Sequence, residues 1–480
     1  MCKEPSVGNM VGGLAFGQPV TWGYSSFIRA LLGGALVELY VEAGMLWFVV
    51  LPLSYWLQGA TLLLCLEIPR RAAKMKLPMI SLSRLLCGFS TQGDLLRYGG
   101  RVDEEKRPIV VWNCTRRCNL RCVHCYASAG GDAQEQEMTT TAAKAFLQDL
   151  ADFKVPVLLF SGGEPLLRED LFELAGFAKG LGIRTAISTN GTLITPEVAD
   201  MIAAVGFAEV GISVDGVREN NDQLRGREGA FDAAVEGIRR CVARGQRASL
   251  RFTISRSNYR DIPAVLDLVE AESVDRVCFY HLAYSGRGRT MVDEDLNHED
   301  TRGVVELICQ RTVEWHRRGL KKEVLMVGNH ADGVYAYLKV KREQPERADE
   351  VMGLLRMNGG NNSGVRIAAV DSVGEVHADQ FWWHYSFGNV SRRRFGDIWM
   401  DTSDPLMHGL KDRKGLLKGR CARCQYLDIC NGNLRVRAEA VYGDVWAEDP
   451  ACYLTDEEIG SKGNAEESGR QKLSPAYHPR

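Results

Sequence analysis

Fourteen cysteines are spread unevenly over the 480 residues, and two groups of them carry ligand spacing. Cys118, Cys122 and Cys125, in TRRCNLRCVHCYA, read C-x3-C-x2-C. Three thiolates can hold a [4Fe-4S] cluster by three of its irons and leave the fourth open to another ligand. Ferredoxin-type electron carriers close such a site with four cysteines, so an open position marks a place where substrate or cofactor can bind and react. Zinc is a poor reading of this group, because zinc motifs usually pair C-x2-C with a second pair that is absent nearby. Cys114, four residues earlier, reads as a buried thiol. The second group, Cys421, Cys424, Cys430 and Cys452, reads C-x2-C-x5-C-x21-C. Four thiolates close a site, which suits structural zinc or a second iron-sulfur cluster, and spacing alone does not choose between them. A chain long enough to bury its own core has little need of disulfides, and the cysteines are read as reduced, in a cytoplasmic protein.

The elements that must position the first group follow from the pattern around it. Short apolar runs alternate with amphipathic stretches from Ile109 to His281, predicting six strands: Ile109 to Asn113, Val155 to Phe160, Arg184 to Ser188, Glu209 to Val214, Ala248 to Ile254 and Arg276 to His281. Leu171, Leu174, Ala175 and Ala178 form one apolar helix face between them, Thr195 with Pro196 reads as a helix start, and Asp261 with Pro263 repeats that signal. Six parallel strands are too few for a closed eight-stranded barrel, so the expected fold is α/β, either an open, partial barrel or a doubly wound sheet. The Cys118 group follows the first strand, Gly162, Gly163, Glu164 and Pro165 end the second, Ser188, Thr189 and Asn190 the third, and Gly211, Ser213 and Asp215 the fourth, while Arg251 lies in the fifth. The C-terminal ends of parallel strands are where such sheets place ligands.

Lys plus Arg is 59 against 61 for Asp plus Glu, which offers no electrostatic footprint for nucleic acid. Residues 1–78 form an apolar extension whose charge-free stretch, Ala43 to Leu66, is long enough to span a bilayer and is followed by Arg70, Arg71, Lys74 and Lys76. Pro52 and Gln58 interrupt it, it begins too late for a signal peptide, and Met79 opens a polar lead-in suited to an enzyme start. The extension is therefore read as a mis-assigned start or a dispensable segment, with membrane contact only if it is an anchor. The expected organisation continues as a lead-in at 79–105, a core at 106–290, a linking helical region at 291–364, a C-terminal unit at 365–458 carrying the second cysteine group, and a disordered tail at 459–480.

In this order and placement the motifs resemble the radical S-adenosylmethionine (SAM) superfamily. The resemblance implies a partial (β/α)6 barrel, a [4Fe-4S] cluster on Cys118, Cys122 and Cys125, and SAM bound at its open iron. It further implies that Gly162, Gly163, Glu164 and Pro165 hold the methionine amino group, that Ser188 and Asn190 contact the ribose, that Ser213 and Asp215 belong to the same site, and that Arg251 meets the SAM carboxylate. His124 stands where many members carry an aromatic, as in members with a C-terminal second cluster; by itself it reads as a structural histidine. The second group resembles the SPASM and twitch auxiliary domains, which implies a second [4Fe-4S] cluster on Cys421, Cys424, Cys430 and Cys452.

From Met79 to Glu458, segments such as CFYHLAYSGRGR, GNHADGVY, NGGNNSGVRIA, VHADQFWWH, CNGNLRVRA and WAEDPACYL resemble the radical SAM proteins of haem d1 biosynthesis in denitrifying bacteria. That family implies removal of the two propionate side chains at C3 and C8 of 12,18-didecarboxysirohaem by a 5'-deoxyadenosyl radical, with a reduced flavodoxin- or ferredoxin-type electron donor. Such an iron-bearing tetrapyrrole needs an apolar wall and cations, for which Phe381, Trp382 and Trp383, and Arg287, Arg289 and Arg366, are candidates, set against core and surface roles. His330, His377 and His384 are candidates for axial ligands or proton donors, set against structural roles. Sister enzymes of the alternative haem pathway, acting on didecarboxysirohaem or coprohaem, are the nearest alternatives, and a SPASM peptide maturase is a farther one. A non-catalytic tetrapyrrole carrier or an electron-transfer protein fits the open three-cysteine site poorly.

Overall fold

The computed structural model describes residues 79–98, 107–131 and 137–461, together with the backbone of five strands between residues 20 and 66. The chain divides into two compact units, Met1–Ala73 and Lys74–Arg480. In the first, Val20–Trp22, Ser25–Leu32, Ala35–Glu42, Met45–Pro52 and Leu63–Leu66 pair in order as an antiparallel sheet. The span candidate Ala43 to Leu66 thus falls partly on two strands, consistent with its β-branched and aromatic residues, and partly outside the described residues. No helix among the described residues is long and apolar enough to cross a membrane. The predicted tail lies outside them beyond residue 461.

The second unit is built on ten strands: β1 (Met79–Ser81), β2 (Ile109–Asn113), β3 (Val157–Ser161), β4 (Arg184–Thr189), β5 (Val210–Ser213), β6 (Ala248–Ile254), β7 (Arg276–His281), β8 (Glu323–Val327), β9 (Ile367–Val370) and β10 (Val376–His377). They lie in the order β10-β9-β2-β3-β4-β5-β6-β7-β8-β1. From β9 through β8 every pairing is parallel, and β1 and β10 close the ends antiparallel. The six predicted strands are β2 to β7. The two further parallel strands come from stretches read as linker and as C-terminal unit. Both are short: β8 is buried at all five positions, and β9 pairs Ile367 with Ile109 and Val370 with Trp112, so the C-terminal segment completes the core sheet. Met79–Ser81, read as polar lead-in, pairs with Leu325–Val327.

The connecting helices explain the parallel order. Leu171, Leu174, Ala175 and Ala178 are buried on the helix Leu171–Gly180, as their spacing predicts. Thr195 caps Pro196–Val205 by accepting from the Val198 amide. Asp261 precedes Ile262–Ala271 but does not cap it; its carboxylate accepts instead from the Val217 amide (2.9 Å) and Asn220 Nδ2 (2.9 Å). At the opposite end of the sheet from the motif-bearing loops, Glu323 accepts from Arg97 (2.6 Å), Arg276 (2.6 Å) and Arg247 (2.8 Å). Burial alone would raise the Glu323 carboxyl, but Arg97 and Arg276 outweigh it and hold it down at about 2.

Candidate active site

The loop after β2 carries Cys118, Cys122 and Cys125. Cys118 and Cys122 are buried and pack with Leu120, Ala127 and Ala129, against Tyr126 and Trp383. Burial pushes the Cys118 thiol up to about 12, so it becomes a thiolate only when a cation or cluster compensates the charge. Cys114 stands apart, fully buried, with its thiol donating to the Ser161 carbonyl (3.3 Å).

Backbone contacts from the next loop hold this one. The Gly163 amide donates to the Thr115 carbonyl (2.7 Å) and the Glu164 amide to the Arg117 carbonyl (2.9 Å). A side chain at Gly162, whose φ is +138°, or at Gly163 would fall on the Thr115 or Arg117 backbone, so only glycine permits the approach. Pro165 then opens a short 3-10 turn. The Glu164 carboxylate is fully buried and accepts from Thr189 Oγ1 (2.7 Å), the Asn190 amide (2.7 Å) and the Leu166 amide (3.1 Å). Its oxygens therefore tie the end of β3 to the end of β4, and burial lifts it to about 7 despite these donors. Asn190 Nδ2 donates to Asn119 Oδ1 (2.8 Å), which fastens β4 to the cysteine loop.

Asp215, after β5, is an electrostatic hub. It pairs with Arg225 (2.5 Å) and His124 (2.9 Å) and accepts from the Thr253 amide (2.6 Å). Burial opposes its ionisation, but Arg225 and then His124 outweigh it and hold the carboxyl down at about 2. Arg225 also donates to Cys122 Sγ (3.6 Å), so a carboxylate, a guanidinium and a cysteine sulfur form one chain. Arg225 and Asn119 carried no signal in the sequence, because the contacts that tie them to the site join residues far apart along the chain, Asn119 to Asn190 over 71 residues and Arg225 to Cys122 over 103.

Ser188, Ser213 and Arg251 line a cavity, in part continuous with solvent, that runs along the inner face of the sheet. Arg251 Nε is buried there without a hydrogen-bond partner, and a methyl group at Gly211 would strike its guanidinium. A cation packed over a glycine and left one donor short fits the carboxylate of a bound amino acid such as the methionine moiety of SAM. The same cavity is lined by His124, Tyr126, His281, His330, Gln380 and Phe381.

The second cysteine group converges as well. Cys421, Cys424, Cys430 and Cys452 line one apolar cavity together with Val334, Leu427, Leu454 and Ile459. Burial raises all four thiols, Cys452 to about 12. Four thiols around an apolar hollow fit a closed cluster site. Among the described residues no three His, Cys, Asp or Glu side chains close on a point as the ligands of a single ion do; a four-iron cluster takes one thiolate per iron and spaces them more widely. The CNGNLRVRA segment bolts this region to the core sheet: Arg437 donates to Asp449 (2.8 and 2.9 Å), to the Leu282 carbonyl after β7 (3.1 Å) and to the Gly328 carbonyl after β8 (2.9 Å).

The candidate substrate residues divide. Phe381 lines the main cavity, whereas Trp382 is fully buried and Trp383 packs against the first cysteine group. Arg287 donates to the carbonyls of Cys122 (2.7 Å) and Ala129 (2.8 Å) and so supports the cysteine loop. Arg289 lies in the 3-10 segment Gly286–Glu294. Arg366 sits just ahead of β9, at the end of the strand away from the cysteine loop, and burial lowers its guanidinium to about 10. His330 lines the main cavity; His377 Nδ1 bonds the Tyr385 carbonyl (2.8 Å), and His384 pairs with Glu439 (2.8 Å) at the surface.

Comparison with known proteins adds three findings. The radical SAM superfamily pattern matches residues 112–269, from β2 to the helix after β6. The Fe-coproporphyrin III synthase of Methanosarcina barkeri is 56% identical over 395 residues, covering 80% of this chain and 99% of that protein, and the pre-heme d1 synthase of Dinoroseobacter shibae is 44% identical over 359 residues, covering 74% and 88%. Among solved structures, Streptococcus suis SuiB bound to S-adenosylmethionine shares the fold, with a TM-score of 0.58 at 19% identity over 73% of this chain and 78% of that one.

Proposed function

The chain belongs to the radical SAM superfamily and is an enzyme of it, and from that premise we propose that it trims side chains from an iron-bearing tetrapyrrole. The observation that carries this reading is its 56% identity across 99% of a Fe-coproporphyrin III synthase, against 44% across 88% of a pre-heme d1 synthase. On this reading the side chains removed are acetates of a didecarboxysirohaem, leaving the propionates of an iron coproporphyrin. Loss of propionates at C3 and C8 is the second reading, supported by the 44% relative.

A reduced [4Fe-4S] cluster with bound SAM would supply the one-electron chemistry, SAM being split into methionine and a hydrogen-abstracting 5'-deoxyadenosyl group. Cys118, Cys122 and Cys125 would hold that cluster, and Arg225 donates to the Cys122 sulfur while Asp215 compensates the guanidinium. Arg251 would take the SAM carboxylate, and the backbone of Gly162 to Glu164, drawn against the cysteine loop, would present the methionine end to it. Ser188 and Ser213 face the same cavity, where ribose hydroxyls would lie. Asn190 and Glu164 act through the backbone they fix. The apolar lining from Leu282, Ala283, Phe381 and Leu434 would seat the macrocycle and exclude water. Cys421, Cys424, Cys430 and Cys452 would hold a second cluster, and a flavodoxin- or ferredoxin-type protein of the cytoplasm would deliver electrons.

The test is anaerobic incubation of the reconstituted protein with SAM, dithionite and 12,18-didecarboxysirohaem, reading 5'-deoxyadenosine and tetrapyrrole mass together. Loss of two acetates supports the first reading. Loss of two propionates, one CH2 heavier per side chain, selects the second. Production of 5'-deoxyadenosine with an unchanged tetrapyrrole overturns both.

A further inference from the structure

Three histidines line the main cavity, and two of them are engaged. His124 is paired with Asp215 (2.9 Å), and His281 Nε2 is bonded to Asp332 (3.0 Å), which also accepts from Tyr453 (2.8 Å). His330 differs. It is 4% exposed, yet its Nδ1 has no hydrogen-bond partner. Buried polar atoms left without partners are rare in folded proteins and call for an explanation.

Its backbone, by contrast, is held firmly. His330 follows β8 at the same end of the sheet as the cysteine loop, and its amide donates to Asn433 Oδ1 (2.8 Å). Asn433 in turn donates to Asn329 Oδ1 (2.6 Å), and Asn329 donates to the Ala451 carbonyl (2.9 Å). The imidazole thus stands on a platform shared with the chain between Cys430 and Cys452. Leu282 and Leu434 line the same cavity. Burial, with Arg413 and Arg437 nearby, keeps the ring neutral by lowering it to about 3. A neutral imidazole is the form that ligates metal, and iron tetrapyrroles take a histidine nitrogen at the axial position.

We propose that His330 is the axial ligand this protein offers to the iron of its tetrapyrrole substrate. The assignment rests on the iron-tetrapyrrole reading above. An axial bond fixes the centre of a flat macrocycle while leaving its rim, where the side chains are, free to meet the SAM side of the cavity. It also gives the enzyme a way to prefer the iron-bearing macrocycle over its metal-free counterpart, because the apolar wall alone would accept either.

The test uses the full-length reconstituted protein, titrated with ferric coproporphyrin III and, separately, with iron-free coproporphyrin III. Binding is followed at the Soret band and by low-temperature EPR, in which oxidised [4Fe-4S] clusters are silent. The wild type is expected to show a histidine-ligated ferric spectrum. His330→Ala is expected to lose it and to bind the iron porphyrin at least about tenfold more weakly, with added imidazole restoring the spectrum and with iron-free binding unchanged. His330→Gln, closer in volume, is read alongside, so that a packing defect in the alanine variant does not decide the matter. If both variants keep the wild-type spectrum, or if only His281→Ala changes it, His330 is not the ligand, although the tetrapyrrole reading stands. If the wild type binds neither porphyrin, the substrate reading and this inference fall together.

Discussion

Replacing Asp449 by Asn would separate the two ends of this enzyme. The Asp449 carboxylate is buried and has four donors: Arg437 Nε (2.8 Å) and the Ala451 amide (2.9 Å) on one oxygen, Arg437 Nη2 (2.9 Å) and the Leu434 amide (2.8 Å) on the other. Both partners of the ion pair have fully buried side chains. Asparagine keeps one oxygen and turns an NH2 towards the other two donors, so two hydrogen bonds are lost and Arg437 is left as a buried cation without its counter-charge. Each unsatisfied donor costs about 1–3 kcal/mol, and breaking a buried pair on one side costs about 3–5 kcal/mol in total. The loss falls on the segment from Leu434 to Ala451, which connects the Cys421 group to Cys452. The assay is iron per chain after anaerobic reconstitution, with SAM cleavage measured in parallel. The expected outcome is loss of about half the iron, with cleavage of SAM retained and tetrapyrrole processing lost. Full iron content and wild-type thermal stability in the Asn variant would refute the claim that this pair holds the C-terminal cysteines in place.

Three further outcomes are expected. Gly211→Ala would push the Arg251 guanidinium off its strand; losing one charge-assisted hydrogen bond, about 1.5–3 kcal/mol, would weaken SAM binding about 10- to 150-fold without loss of iron, as read by equilibrium binding. Cys118→Ala would abolish 5'-deoxyadenosine formation, whereas Cys424→Ala would retain it and block the tetrapyrrole product; equal SAM cleavage by the Cys118 variant would overturn the first site. Burial raises Glu164 from 4.5 to about 7, so the folded state binds its proton more tightly than the unfolded chain does. That contribution to stability is present below about 4.5 and is lost as pH climbs through about 7. A Glu164→Gln variant should lack this component of the slope of melting temperature against pH.

Much of the core was legible because its signals are local. Ala248–Ile254 and Arg276–His281 run as their apolar patterns predict, and the Thr195–Pro196 start behaves as a cap. The cysteine groups were readable from spacing, since ligands on one loop keep short separations. What escaped was non-local. Glu323–Val327 is five residues set between polar stretches, buried at every position, and it is recruited as a strand by edge partners distant in sequence, Arg276–Tyr280 on one side and Met79–Ser81 on the other. By type Arg287 suits a substrate cation or a surface charge equally, and in the fold it donates to the Cys122 and Ala129 carbonyls; Trp382 suits a cavity wall or the core, and it is fully buried. The motif points Glu164 at a ligand by resemblance, and nothing local in the sequence shows that its oxygens also accept from Thr189, Asn190 and Leu166. Residue type announces that a group is polar; only the fold decides what it faces.

The seating of β9 beside β2 also sets a timetable for synthesis. Ile109 pairs with Ile367, so β2 emerges from the ribosome with one edge bare and keeps it bare until more than half of the chain has followed. The three cysteines after β2 are made early, but the Arg287 that braces their loop follows more than 160 residues behind them, and the Trp383 that packs over them comes later still, after β9. Loop closure over such a distance is slow, and an unpaired strand edge invites association with other chains. Cells expressing this protein would thus have a long nascent interval in which the first cysteines are exposed to oxygen and stray metal, and yield should depend on slow translation and early iron supply as much as on the stability of the finished fold.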